Sequence, residues 1–371
     1  VAELLRTALY AEHQRQSATF TSFGGWDMPL RFGSDRGEHE AVRTHAGIFD
    51  LSHMAQIEVE GPHAAHVLDY SLTGLPSALE VGQARYTLIL ATDAGIIDDL
   101  IVYRIASSHF LVVANAANRL DVVDELTARS MALKQSQVSI CDTTVHRSLI
   151  AVQGPESTSV VSQILPAADR ERFAKLRYYR MMEVRVQDLP IRIARTGYTG
   201  ECGYELMLPA AGAVDVWRQL IHSGQEHGLT RCGLAARDTL RLEAGMALYG
   251  HELDRSISPL DAGLGNTVVD HTFVGATALS ERPVAWNLYG LIGQGRRAAR
   301  AGCNVYAGGG LVGTITSGVL SPTLGRPIAL ARLVPNLPAG TYHVDVRGKL
   351  QPMETVDLPF YSRNRSSHTH S

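Results

Sequence analysis

Cysteine is scarce in this chain: four in 371 residues, at positions 141, 202, 232 and 303, too far apart to form a CxxC pair. That spacing indicates neither a zinc knuckle nor a disulfide framework, so free thiols are expected. Long apolar runs are missing too. Nothing approaches the roughly 18 residues that a membrane-crossing helix needs, and the stretch from Val1 to Glu12 carries acidic residues and no signal-peptide core. Neither sign of charge dominates, with 34 basic against 37 acidic residues and a net charge of -3, and the basic residues form no stripe. Nucleic acid and anionic membrane are therefore not expected as partners, and a cytoplasmic setting is. Hydrophobic residues make up 45% of the chain, which is ample for packed cores and, at this length, for two or three domains.

Several familiar signatures are absent or fail on context. There is no GxxxxGK[ST] loop, and His251-Glu252 lacks the second histidine of HExxH. Gly308-Gly309-Gly310-Leu311-Val312-Gly313 matches GxGxxG in letters, but it precedes Thr314-Ile315-Thr316, a strand-like alternation where a dinucleotide site requires a helix. A hairpin turn is expected there instead, because glycine supplies the positive φ that tight turns demand. The fifteen histidines show no ligand spacing, and no metal site is expected.

Along the chain, the pattern reads as α+β. A helix is expected from about Ser34 to Thr44, then strands dominate from Gln56 to Asn115, with Ile57 and Val59 alternating with Glu58 and Glu60, a short helix after Pro62, and two strands flanking Thr92-Asp93-Ala94-Gly95. A strand over Phe110 to Ala114 ends at Asn115, placed to cap a helix starting near Arg119. Strands between Met182 and Leu208 precede helices at Val214 to His222 and Leu234 to Leu248. Short antiparallel strands without regular βαβ alternation argue against a doubly wound sheet. From about Leu288 short strands punctuated by Gly and Pro suggest a small barrel or jelly roll. The polar end, residues 363–371, is expected to be a disordered tail.

The most informative feature is a pair of adjacent carboxylates inside an apolar strand, Ile96-Ile97-Asp98-Asp99-Leu100-Ile101-Val102-Tyr103. Aspartate is a poor strand former and costly to bury unpaired. Strict alternation puts Asp99 with Ile97, Ile101 and Tyr103, and Asp98 with Ile96, Leu100 and Val102, so only one of the two looks into any given cavity. A second carboxylate, Glu205, follows a Gly-punctuated loop, Arg195-Thr196-Gly197-Tyr198-Thr199-Gly200-Glu201-Cys202-Gly203-Tyr204-Glu205, and sits among Tyr204, Leu206 and Met207. It needs donors, either an internal arginine such as Arg237 or a ligand bearing adjacent N–H groups.

These residues carry a resemblance. Phe23-Gly24-Gly25-Trp26-Asp27-Met28-Pro29, Gly47-Ile48-Phe49-Asp50-Leu51-Ser52-His53-Met54, Gly95 to Tyr103, Gln153-Gly154-Pro155, Arg195 to Gly200, Arg241-Leu242-Glu243-Ala244-Gly245 through Leu248-Tyr249-Gly250, and Thr316-Ser317-Gly318 with Ser321-Pro322 together resemble the T-protein family of the glycine cleavage system. They span about 350 residues in the family's order; a single string is weak, the ordered set is specific. The resemblance implies a three-domain clover-leaf around a folate cavity: residues 1–52 with 139–250, residues 53–138 with 251–285, and a C-terminal jelly-roll-like β-barrel over 286–362. It implies a tetrahydrofolate-dependent aminomethyltransferase, with tetrahydrofolate as co-substrate and a lipoylated H-protein carrier as partner.

Carried over by position, Asp99 corresponds to the family's essential aspartate, Asn115 to a folate-site asparagine, and Tyr198, Glu205 and Arg237 to residues holding the pterin; Met54, Tyr86 and Ile101 fall on apolar walls. Three positions depart from the family's habit: Ala8 for a proline, Cys202 for an aspartate, and Asn266 where an aromatic is common. Two other activities belong to related proteins, a folate-dependent demethylase and a non-enzymatic folate-binding protein of the iron-sulfur maintenance type. The second is expected to carry Lys-Gly-Cys leading into Gly-Gln-Glu, where this chain reads Ala244-Gly245-Met246-Ala247-Leu248-Tyr249-Gly250.

Overall fold

A computed structural model describes residues 3–135 and 137–363. Of the expected tail, residues 364–371 lie outside the described residues. Helix α1 (Tyr10–Arg15) leads into a hairpin of β1 (Thr19–Phe23) and β2 (Trp26–Arg31). Helix α2 (Asp35–Thr44) begins where Ser34 accepts a hydrogen bond from the Gly37 amide at 3.0 Å, satisfying one of the amides that a helix start leaves unpaired. Then come β3 (Ala46–Asp50), β4 (Ala55–Glu60), α3 (Ala64–Ser71), β5 (Ala84–Leu90), β6 (Ile96–Ala106), β7 (His109–Ala114), α4 (Arg119–Ala132), β8 (Ser139–Asp142) and β9 (Arg147–Gln153). These are followed by α5 (Ser157–Ile164), α6 (Ala167–Ala174), β10 (Met181–Val186), β11 (Leu189–Ala194), β12 (Gly203–Pro209), α7 (Ala213–Gly224), β13 (Leu229–Arg231), α8 (Leu234–Glu243) and α9 (Ala276–Glu281). The chain closes with β14 (Asn287–Gly293), β15 (Asn304–Ala307), β16 (Gly310–Leu320), β17 (Pro327–Leu333), β18 (Thr341–Val346) and β19 (Lys349–Val356).

Apart from the two-stranded β1–β2 hairpin, strand pairing sorts these into two larger sheets and a barrel. The first sheet runs β10-β11-β12-β9-β3-β13, antiparallel apart from the parallel β3–β13 edge, and the second runs β5-β6-β7-β4-β8. Strands β14 to β19 close into a six-stranded barrel. Helices α5, α6 and α7 cover one face of the first sheet with Val161, Phe173, Trp217 and Leu220, and α3 and α4 cover one face of the second with Leu68, Val122 and Leu126. Full burial of each such side chain contributes on the order of 1.5–3 kcal/mol. The remaining faces meet each other through Phe49, Leu51 and Met207 on one side and Ala84, Tyr103 and Leu111 on the other. Ile328 and Leu330 of the barrel pack on Leu242 of α8. Three units therefore converge on the end of β6, where the paired aspartates lie.

Four local expectations need correction. Strand β8 pairs with β4, so residues 139–142 belong with the second sheet and not with the first, as the boundary at 139 had it. Asn115 makes no side-chain cap; its amide is drawn to the two aspartates. The helix expected to reach Leu248 stops at Glu243, because Gly245 turns left-handed (φ +67). There the amides of Gly245 and Met246 bond to the carbonyls of Leu242 and Arg241, closing the helix end and releasing a loop over residues 245–249. Finally, Ile97 is an extra residue in β6, because Leu90 pairs with Ile96 while Ile89 pairs with Asp98. This bulge breaks strict alternation: Ile97 packs with Leu100 and Val102, the face expected for Asp98, and not with Ile101 and Tyr103. The glycine run does form a hairpin turn, with Gly308 (φ +56) and Gly309 (φ +85) linking β15 to β16.

Candidate functional site

Where the three units meet, the protein encloses a cavity of about 500 Å³, within the usual range for small-molecule sites. Met54, Tyr86, Asp99, Ile101, Asn115, Tyr198, Glu205 and Arg237 all line it, so the residues singled out from the sequence are brought to one place. Their sources are spread over the fold: the segment after β3, the sheet strands β5 and β6, the end of β7, the β11–β12 loop, β12 and α8.

Asp99 is held from two sides. Tyr86 donates its hydroxyl to Oδ2 at 2.9 Å, and Asn115 donates Nδ2 to Oδ1 at 2.8 Å. Burial pushes the Asp99 carboxyl above the usual carboxylate range, with these hydrogen bonds opposing it. Burial and the neighbouring Asp99 charge hold the Tyr86 phenol well above its ordinary value, so it stays a donor. Asp98 is fully buried and accepts from the Asn115 backbone at 2.9 Å, the Asn115 amide at 2.9 Å and the Asn118 amide at 2.5 Å. Burial first, and repulsion from Asp99 second, raise its carboxyl as well. Neutral N–H groups alone satisfy Asp98 among the described residues.

Elsewhere on the lining Glu205 accepts at Oε2 from Thr196 Oγ1 at 2.5 Å and from the Tyr103 hydroxyl at 3.4 Å. Among the described residues it forms no ion pair with Arg237, although both face the cavity. The Arg237 guanidinium lies instead over the Tyr198 ring, 4.7 Å from its centroid. Tyr198 is fixed in turn by donating its hydroxyl to the Ala247 carbonyl of the loop that follows α8. The β11–β12 loop keeps its shape through Gln153, whose amide donates to Thr196 O at 3.1 Å and accepts from Thr199 Oγ1 at 2.9 Å. Glycine is needed at 197 and 203 for this, since a Cβ there would lie 2.1 and 2.2 Å from the Gln153 side chain.

His53 is a lining residue that sequence reasoning missed as such, although it stands in the Leu51-Ser52-His53-Met54 string. Its Nδ1 is buried with no partner among the described residues. Burial first, and the Arg237 charge second, push its imidazole down to about 4, so it is neutral near pH 7. Away from the cavity, the fold brings Glu58, Glu60 and His109 close enough to share an ion, a grouping without a spacing signal. Glu58 there also pairs with Arg192 at 2.7 Å, a cation already in the place of a metal. Cys202 touches the Arg363 guanidinium through Sγ.

A cavity lined by two carboxylates, an arginine free of carboxylate partners among the described residues and largely apolar walls suits a flat, nitrogen-rich ligand and a reaction that develops positive charge. No described helix is long and apolar enough to cross a membrane.

Comparison with known proteins gives the same picture from end to end. Residues 9–271 match the GCVT N-terminal domain, and residues 287–362 match the glycine cleavage T-protein C-terminal barrel domain. The chain is 49% identical to an aminomethyltransferase of Streptomyces coelicolor, over 98% of this chain and 99% of that one. It is 47% identical to one of Cutibacterium acnes, over 97% and 99% respectively. The crystal structure of the glycine cleavage system aminomethyltransferase T from Bartonella henselae superposes with a TM-score of 0.88 at 34% identity, covering 96% of this chain and 98% of the other.

Proposed function

The chain belongs to the glycine cleavage T-protein family, and from that premise we propose that it transfers an aminomethyl group from a lipoylated H-protein carrier to tetrahydrofolate. The products are ammonia, 5,10-methylenetetrahydrofolate and the dihydrolipoyl carrier. The observation that carries the reading beyond likeness is Asp99, a carboxylate on the cavity wall clamped between a phenol and an amide, in the same cavity as Glu205 and Arg237.

The chemistry needs a folate nitrogen to reach an electrophilic methylene carbon while positive charge develops as ammonia leaves. A carboxylate fixed in a water-poor cavity stabilises that charge without reorganising. Asp99 takes this role. Glu205 accepts hydrogen bonds from adjacent pterin N–H groups, and its Oε2 is already oriented by Thr196 and Tyr103. Arg237, stacked on Tyr198, and Asn115 position the ring, while Met54, Ile101 and the Tyr86 ring supply apolar contact.

The test offers the purified protein tetrahydrofolate and an aminomethyl-loaded lipoyl carrier, separately and together. Tetrahydrofolate alone raises the melting temperature, since a ligand at 100 times its dissociation constant adds about 2.7 kcal/mol of stability. Ammonia release requires both components. Turnover of a methylated small donor without carrier would identify a demethylase instead, and folate binding without ammonia release a binding protein.

A further inference from the structure

Asp98 lies outside the chemistry described above, yet it is bound to the same asparagine as Asp99. We infer that Asp98 is a positioning residue for the transfer reaction, acting on Asp99 through the side chain of Asn115. The inference rests on the aminomethyl-transfer reading for its kinetic consequences, and on geometry alone for the coupling.

The geometry is specific. Asn115 Nδ2 lies 2.9 Å from Asp98 Oδ1, 2.8 Å from Asp99 Oδ1 and 3.1 Å from the Asp99 carbonyl oxygen, so three acceptors surround one amide nitrogen. Only one orientation of the amide is compatible with that surround, because the flipped group would press its own oxygen against carboxylate oxygens. The Asn115 backbone amide donates to Asp98 Oδ2 at 2.9 Å, and Asn118 holds Oδ1 from the other side. Asp98 therefore fixes Asn115, and Asn115 is one of the two donors that fix Asp99. Without the Asp98 carboxylate, Asn115 loses the acceptors of its backbone N–H and of one side-chain contact, and its orientation rests on the two contacts to Asp99 alone.

Charge couples the two acids as well. The groups facing them are Tyr86 from β5, Tyr198 from the β11–β12 loop and Tyr249 from the loop after α8, phenols that burial keeps protonated, together with the neutral amides of Asn115 and Asn118; Glu205, Arg237 and the neutral His53 line the same cavity as Asp99. Among the described residues no lysine, arginine or histidine forms an ion pair with either aspartate. Two carboxylates sharing one amide nitrogen, with no cation paired to either among the described residues, oppose each other's ionisation, since each raises the cost of charging the other. The charge state of Asp98 thus sets how readily Asp99 becomes the carboxylate that transfer requires.

Asp98→Asn removes the charge and one of the two acceptor oxygens that hold Asn115, while leaving Glu205 and Arg237 untouched. Expected are a fall in kcat of about tenfold, tetrahydrofolate affinity within about threefold of wild type, and an acid limb of the kcat–pH profile displaced downward by about half a pH unit or more. A purely structural Asp98 lowers the melting temperature and leaves the limb in place, and superimposable limbs overturn the inference. If Asp98→Asn does not fold, the decision passes to Asp99→Asn in the full chain, followed by the 13C resonance of the Asp98 carboxyl. Its titration midpoint moves down relative to wild type when the neighbouring charge is lost, and an unchanged midpoint refutes the coupling. Should wild type release no ammonia, the transfer reading falls, while the carboxyl titration still judges the Asp98–Asp99 link.

Discussion

Arg241 and Glu252 form an ion pair of 2.9 Å with both side chains sealed from solvent, and between them they hold the two ends of the segment that floors the cavity. Arg241 donates to the Met246 carbonyl at 3.2 Å, Glu252 accepts from the Leu248 amide at 3.0 Å, and a further Arg241 nitrogen reaches Ser317 of the barrel at 2.8 Å. The pair ties the short end of α8 to the barrel and shapes the site between them.

Arg241→Met is expected to cost roughly 3–5 kcal/mol of stability, because it leaves the Glu252 carboxylate buried without its partner. Denaturant unfolding measures the loss. A change below 1 kcal/mol would show that the pair is dispensable to the fold.

Asp99→Asn is expected to keep the fold and reduce turnover by on the order of 10²-fold or more, the scale of losing a preorganised electrostatic group. Asp98→Asn reduces it less, since Asp98 acts at one remove. Single-turnover rates give the ranking, and the reverse order contradicts the assignment of Asp99 as the reacting acid.

Glu205→Ala is expected to weaken tetrahydrofolate binding by roughly 1.5 to 3 kcal/mol, the scale of a charged hydrogen-bonded contact. Thr196 and Tyr103 lose their acceptor as well, so some stability goes with it. Calorimetry separates the two: unchanged affinity with a collapsed melting temperature would make Glu205 a structural residue.

Stability is expected to fall in acid through Glu243. Burial acts to raise its carboxyl, but the hydrogen bond from His39, the charges of His39 and Arg43 and the Ser321 hydroxyl hold it at about 2, below its ordinary 4.5. A depressed acid stabilises the fold above its unfolded pKa and loses that contribution as the pH falls through the folded value. The window therefore runs from about pH 4.5 down to about 2, and the contribution is about 3 kcal/mol. Glu243→Gln should flatten the pH dependence of the denaturation midpoint across that window; an unaltered slope would place the acid sensitivity elsewhere.

Much of this was legible in the sequence because it is local. The serine before α2, the existence of strand β4, the glycine turn between β15 and β16 and the acidic pair inside an apolar strand depend on neighbours a few residues away. The ordered strings from Phe23 to Pro322 named the family for the same reason: each is short and contiguous. The end of α8 was hidden, because Gly245 is compatible with a helix until two backbone bonds and a buried ion pair stop it.

What the sequence by itself determined was the kind of residues available to the site and the elements that carry them. Only the tertiary structure decided which of them touch. Pairing of β6 with β7 delivers Asn115 to both aspartates, the bulge at Ile97 breaks the alternation of side chains beside them, and Thr196 and Tyr103, rather than Arg237, satisfy Glu205. A buried carboxylate must find donors, but which donors it finds is set by chain segments from distant parts of the sequence packing against one another, and no local pattern encodes that.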